Sequence, residues 1–386
     1  MPINVQPYLE AYVTRLKQSG ALSDPAIESA FYRVPRHLFV ERFFVGDESQ
    51  GWIPVEHDPE DPKPEHLETI YSGTALVTRL QVNLGTSSSS QPALMANMLQ
   101  LLELRPGMCV LEIGAGTGYN AGLLAELVGN PALVTTLDIQ PDVVEHARRA
   151  LARAGYGAVH VWCRDGFEGA TEAAPFDRIV ATVGCPDLSP RWAEQLAPSG
   201  FMLIPLRHAG TNPLVIVRPE DRTGGGGSLI GEVVGSSGFM AVQGALADPA
   251  YYASGRSAPN PSDEARILWP DLGDRRMDFL FYLGVRDGRT RLFQWPSHFG
   301  LVAETAGRSA RVEQDRLAGN PALLDELDAL YDDWRAIGSP ATCAFQLRFT
   351  PADAGFDDGP ARRSAAGPWT LPGPFYHRQF ALRPGR

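Results

Sequence analysis

The residues best suited to chemistry lie in Glu112-Ile113-Gly114-Ala115-Gly116-Thr117-Gly118. Glycines after a strand let backbone approach a ligand closely, and the start of a following helix offers unpaired N–H groups. A dinucleotide site wants G-x-G-x-x-G. Here the spacing is G-x-G-x-G, and Tyr119 stands where the third glycine belongs. Glu112 would repel a pyrophosphate and suits a ligand with a cationic amino-acid part. Two more acids end the next strands: Asp138, which can accept from both ribose hydroxyls, and Asp165 before Gly166, which can accept from an adenine amine. S-adenosylmethionine carries an ammonium and a sulfonium and no phosphate, so three acids at successive strand ends fit it better than a nicotinamide cofactor. The expected donor contacts are Glu112, Gly114, Ala115, Gly116, Gly118, Tyr119, Asp138, Ile139, Asp165 and Gly166.

These residues need a sheet to hold them. Apolar runs predict strands over 108–113, 133–139, 159–163, 176–182 and 201–206, with helices over 119–128, 141–154 and 190–196 between them. That alternation is the pattern of an α/β fold with a parallel sheet, here a Rossmann-like class I methyltransferase. Upstream, 6–45 reads as helices, with Ser23-Asp24-Pro25-Ala26 as a helix start. The Pro- and acid-rich 46–69 reads as a mobile connector or a lid. A polar stretch over 74–92 leads into a helix over 93–104, with Ser90 or Gln91 at its cap. Downstream, Leu214–Val217 and Leu229–Val234 flank the tip Thr223-Gly224-Gly225-Gly226-Gly227-Ser228, a hairpin with a flexible turn. A second hairpin is expected from Phe279–Val285 and Thr290–Trp295 around Arg286-Asp287-Gly288-Arg289. An amphipathic helix over 321–337 and an alternating strand at Phe345, Leu347 and Phe349 complete an α+β segment. The expected division is an N-terminal helical region and loop (1–80), a methyltransferase domain (81–248) and a C-terminal α+β domain (249–386) that recognises substrate. Trp269, Trp295, Trp334 and Trp369 are its candidate recognition faces, against a plain core role for each.

Composition removes several classes. The 386 residues carry 34 Lys and Arg against 45 Asp and Glu, a net charge of −11 with no basic block, which disfavours a nucleic-acid partner. The lysines are Lys17 and Lys63, so there is no Gly-Lys-Ser/Thr phosphate loop and no apolar pocket for a Schiff-base lysine. Cys109, Cys163, Cys185 and Cys343 are far apart, which argues against a local metal site or a disulfide framework. No G-x-S-x-G elbow is present. The N-terminus lacks the pattern of a secretory signal and no long apolar run exists, so a cytoplasmic location is expected.

Over about residues 5–246 the sequence resembles the protein-L-isoaspartate O-methyltransferases. The resemblance rests on Val34-Pro35-Arg36-His37-Leu38-Phe39-Val40, on Ser89-Ser90-Gln91-Pro92 before a helix, on Val110 to Tyr119, on Arg164-Asp165-Gly166 and on Phe176-Asp177-Arg178-Ile179-Val180. It implies S-adenosylmethionine as cofactor, S-adenosylhomocysteine as product, and a peptide or protein carboxylate as acceptor. It makes Ser90 the catalytic residue that orients the acceptor, although residue type alone would make Ser90 a helix cap. It places Ser87, Ser88 and Ser89 at the donor, chiefly through backbone, and Ser90, Gln91 and Gln243 at the substrate.

The chain also departs from the repair enzymes. Ser87-Ser88-Ser89-Ser90 replaces a Gln-Thr-Ile-Ser run, and Phe239-Met240-Ala241-Val242-Gln243 lacks the proline of a Val-Pro-Leu segment. The C-terminal extension is foreign to ordinary repair enzymes. In these respects it resembles members that mature lanthipeptides, lasso peptides and graspetides. Methylation of one Asp in a modified precursor peptide, leading through a succinimide to isoaspartate, is therefore expected, with repair of damaged proteins as the alternative. A donor-binding sensor and a small-molecule carboxyl methyltransferase are more distant readings.

Overall fold

The computed structural model describes residues 3–47, 49, 51–81, 84–220, 227–248, 264–294, 298–302, 308–354 and 367–383. The chain packs as two units: Met1–Gly184 with Arg191–Ile204 and Phe239–Ala245, and Cys185–Pro190 with Pro205–Gly238 and Leu246–Arg386.

The first unit opens with helices α1 (Gln6–Gln18) and α2 (Pro25–Arg33). The Asp24 carboxylate caps α2, accepting from the Ala26 and Ile27 N–H groups at 2.7 and 3.3 Å. Strands β1 (Arg42–Asp47) and β2 (Gly51–Glu56), helix α3 (Pro64–Ile70) and strands β3 (Leu76–Gln81) and β4 (Leu84–Ser89) follow. The four strands form an antiparallel sheet in the order β2-β1-β3-β4. The described residues of the expected connector over 46–69 thus include a strand, β2, and a helix, α3. Pro64 serves as the first residue of α3, and Pro54 sits on the edge strand β2, both positions that tolerate a missing N–H.

Helix α4 (Pro92–Leu102) leads to the parallel core: β5 (Val110–Ile113), α5 (Tyr119–Val128), β6 (Val134–Asp138), α6 (Pro141–Arg153), β7 (His160–Cys163), β8 (Phe176–Ala181), α7 (Pro190–Glu194) and β9 (Leu196–Pro205). The strand order is β9-β8-β5-β6-β7, parallel throughout. This is the doubly wound, Rossmann-like arrangement of class I methyltransferases. Its order reverses between β5 and β8, and the ligand crevice of such sheets opens there, at the carboxyl ends of the strands. All four residues of β5 are buried, as a central parallel strand requires.

The second unit contains β10 (Pro213–Pro219), β11 (Leu229–Ser236), β12 (Glu264–Ile267), α8 (Arg276–Arg286), β13 (Thr290–Gln294), β14 (His298–Val302), β15 (Ser309–Val312), β16 (Arg316–Gly319), α9 (Pro321–Ala336), β17 (Phe345–Pro351), β18 (Trp369–Leu371) and β19 (Tyr376–Leu382). Strands β18-β19-β17-β11-β10 run antiparallel, and β12-β16-β15-β14-β13 form a second antiparallel sheet. The β10–β11 hairpin is present, with its tip over 221–226 outside the described residues. It pairs with β17, Leu229 to Glu232 facing Phe349 to Gln346, so it packs with the C-terminal strands rather than ending a domain at 248.

Two expectations are corrected here. Phe279–Val285 is helix, not the first arm of a hairpin: all seven residues lie in α8 and are buried. A run apolar on every side carries no periodicity, so helix and strand read alike. Trp334 and Trp369 do not present recognition faces. Both are fully buried, and Trp269 stacks on Tyr331 with ring centroids 4.0 Å apart; Trp295 lies outside the described residues. No helix among the described residues is long and apolar enough to cross a membrane.

Candidate active site

The turn after β5 carries three glycines at positive φ: Gly114 (102°), Gly116 (51°) and Gly118 (82°). Each is also confined. A Cβ at Gly114 would lie 2.8 Å from the Thr182 Oγ1, and one at Gly116 would lie 3.1 Å from the Ser88 carbonyl oxygen. The second contact shows why the Ser-rich strand and the glycine turn belong to one site: β4 runs directly against Gly116. Arg79 on β3 and Gln140 after β6 tie the β3–β4 hairpin to the start of α6. Gln140 Nε2 donates to the Thr86 carbonyl at 3.1 Å, Arg79 Nη1 donates to Thr86 Oγ1 at 2.9 Å, and Arg79 Nε donates to the Asp142 carboxylate at 2.7 Å. A cavity of about 330 Å³ opens here, with Arg79, Ser87, Gly116, Asp142 and His146 among its lining.

Asp138 ends β6 and turns its carboxylate back to the glycine turn, accepting from the Gly116 and Gln140 N–H groups at 3.2 and 3.1 Å. Burial raises its pKa. Ile139 beside it is 37% exposed, an apolar surface fit for a base to cover. Asp165 Oδ1 accepts from the Phe167 N–H at 2.9 Å and Oδ2 from the Ala245 N–H at 2.8 Å. Gly166 has no room for a side chain, since a Cβ would lie 2.5 Å from Ile113 Cγ2. Gly184 N–H donates to the Met240 carbonyl at 2.8 Å and Val242 N–H to the Gly184 carbonyl at 3.1 Å. Those bonds and the one to Asp165 carry the segment 240–245, with the exposed Gln243, along the same carboxyl edge.

Two expected donor contacts have other employment. Glu112 does not stand open beside the glycines. It is fully buried, accepting from Asn120 Nδ2 at 2.7 Å and Thr136 Oγ1 at 2.6 Å. Burial pushes its pKa up to about 7, against the two hydrogen bonds that lower it. Its carboxyl braces β5, β6 and α5 behind the turn. Tyr119 points away into the helices, its ring 5.5 Å from Phe39 and its hydroxyl 3.4 Å from that of Tyr12. Glu112 and Tyr119 therefore shape the turn from behind.

Ser90 does not cap α4. The N-cap is Gln91, which makes no side-chain capping bond. Ser90 precedes it, half-buried, and its hydroxyl makes no hydrogen bond among the described residues. Ser87 and Ser89 are buried, and Ser88 faces Gly116 by its carbonyl. Sequence reasoning passed over the group that holds this stretch. Arg36 is fully buried and donates to Ser89 Oγ (3.1 Å), the Ser89 carbonyl (3.0 Å) and the Ser90 carbonyl (3.1 Å), as well as to the Ile70 and Thr74 carbonyls. A charged residue inside an otherwise apolar Val-Pro-x-x-Leu-Phe-Val motif was the available signal.

The profile of the protein-L-isoaspartate(D-aspartate) O-methyltransferase family matches residues 61–239. A protein-L-isoaspartate O-methyltransferase of Pyrococcus horikoshii is 35% identical over 211 residues, 54% of this chain and 83% of the relative. One from Methanococcoides burtonii is 34% identical over 225 residues, 58% of this chain and 95% of its own. The chain belongs to the protein-L-isoaspartate O-methyltransferase family. It is an S-adenosylmethionine-dependent carboxyl O-methyltransferase. The confined glycines, the Asp138 carboxylate and the exposed Ile139 fit that cofactor at one edge of the sheet. A solved structure titled protein-L-isoaspartate O-methyltransferase shares the fold with a TM-score of 0.54 at 24% identity, covering 88% of this chain and 96% of its own. That span reaches beyond residue 248, so the likeness of fold extends into the second unit.

Proposed function

We propose that the enzyme methylates the side-chain carboxylate of one Asp in a ribosomally made, modified peptide of the cytoplasm. The observation that carries this reading is the unequal coverage of the curated relatives. They are matched over 83% and 95% of their lengths but over only 54% and 58% of this chain, which leaves more than two-fifths of it without a match in them. A repair enzyme must accept many sequences. Contact area outside the reacting centre supplies choice of one substrate.

The protein needs no strong base, because a carboxylate with a pKa of about 4 is already ionised at neutral pH. Bound S-adenosylmethionine supplies an activated methyl group. Gly114, Ala115, Gly116 and Gly118 admit it to the backbone; Asp138, Ile139, Asp165 and Gly166 hold its nucleoside end; Ser87 to Ser89 close over it. The free Ser90 hydroxyl and the uncapped N-terminus of α4 orient the acceptor carboxylate, with Gln91 and Gln243 on the peptide. In the methyl ester the next residue's backbone nitrogen bonds to the carbonyl carbon, the carbon–methoxy bond breaks, and methanol leaves with the proton. The succinimide opens by water to aspartate or isoaspartate.

The second reading is repair, favoured by the relatives' names. Full-length enzyme offered an ordinary Asp in a constrained precursor peptide and a generic isoaspartyl peptide separates the two. Methyl transfer to the precursor alone supports maturation; transfer to the isoaspartyl peptide alone returns repair.

A further inference from the structure

Arg36 is a permanently charged group with no counter-ion among the described residues. All its hydrogen-bond partners are neutral oxygens: the Ser89 hydroxyl and the carbonyls of Ile70, Thr74, Ser89 and Ser90. The titratable groups facing it are Tyr12 from α1, Tyr71 after α3 and Tyr119 from α5, and Tyr71 in turn bonds the His37 ring at 2.8 Å. Burial raises the three tyrosines, so none of them supplies a negative charge, and His37, lowered to about 4, supplies none either. Arg15, which donates to the Tyr71 carbonyl, adds a second positive charge rather than a balancing one. A buried cation is ordinarily paired, because leaving water without a partner is costly. This one ends on the carbonyl of Ser90, whose hydroxyl has no partner among the described residues and is proposed above to orient the acceptor.

We infer that Arg36 is a positioning residue whose missing counter-ion is the acceptor carboxylate itself: it fixes the Ser89–Ser90 backbone and draws the ionised carboxyl group to the head of α4. The inference rests on carboxyl methyl transfer and not on which peptide is used. Arginine suits both tasks, since its fork satisfies several carbonyls at once and its charge persists at any working pH.

The test compares Arg36→Met, which removes charge and fork, with Arg36→Lys, which keeps the charge. It uses full-length enzyme and whichever of the two peptides above is methylated. Calorimetry gives S-adenosylmethionine affinity; initial rates across pH 4–8 give peptide KM and the acid limb of kcat. For Arg36→Met a peptide KM raised about ten-fold or more is expected, with donor affinity held within about two-fold. The acid limb should move to higher pH, because the bound carboxyl loses the charge that keeps it ionised. For Arg36→Lys the limb should stay in place. Lower kcat in Arg36→Met with KM and the limb unmoved overturns the inference and leaves a structural clamp. If Arg36→Met fails to bind the donor, Arg36→Lys decides: a peptide KM within about three-fold of the parent supports the charge role, and a ten-fold rise overturns it.

Discussion

Ser90 and Glu112 separate two kinds of polar residue at the turn. The Ser90 hydroxyl is free, so removing it costs the fold little. Ser90→Ala should leave the melting temperature within a degree or two while lowering turnover about ten- to a hundred-fold with donor affinity unchanged. A fall in melting temperature with intact turnover would reassign Ser90 to packing. Glu112 is the opposite case. Its carboxyl is buried and its pKa raised to about 7, above the unfolded value of 4.5, so the folded state holds a proton that the unfolded state has lost. The resulting stability is fully present below pH 4.5 and is lost as pH rises through about 7, up to about 3 kcal/mol. Glu112→Gln should remove that slope, and urea midpoints at pH 5 and pH 8 would read it. Parallel slopes in parent and variant would place the carboxyl's titration elsewhere.

At the scale of elements the site is a convergence of β4, the β5–α5 turn, the end of β6 and the segment 240–245. Gly116→Val forces a β-branched residue to φ 51° and into the Ser88 carbonyl, so donor binding should vanish while the sheet survives. Asp138→Ala should weaken donor binding by about 2–4 kcal/mol, the loss of charge-assisted hydrogen bonds. Calorimetry with S-adenosylmethionine checks both, and unchanged affinity in either variant contradicts the placement. These strand ends were legible in the sequence because a buried parallel strand followed by glycines, and an acid closing each strand, leave unambiguous local marks. The β3–β4 hairpin was not. Its polar run reads as loop, and only the pairing of Leu76 with Ser89 and Val77 with Ser88 makes it a strand. The role of Glu112 was misjudged for a related reason. An acid beside glycines looks solvent-facing until Asn120, eight residues on, and Thr136 on the next strand fold onto it.

Over the whole molecule, two packed units do not coincide with the boundary at 248 suggested by composition. The β10–β11 hairpin precedes that point yet pairs with β17, so a chain cut there would strip the hairpin of its neighbour. Truncation is therefore a poor probe of the second unit, and substrate choice must be read on the intact protein. The buried Trp334 and Trp369 shift any recognition surface away from those rings, since both are spent on the unit's own core. The most direct measurement gives the full-length enzyme labelled S-adenosylmethionine, a constrained precursor peptide with an ordinary Asp, and a generic isoaspartyl peptide in one competition. Label is expected on the precursor's Asp, followed by loss of methanol, with almost none on the isoaspartyl peptide. Label chiefly on the isoaspartyl peptide would contradict peptide maturation.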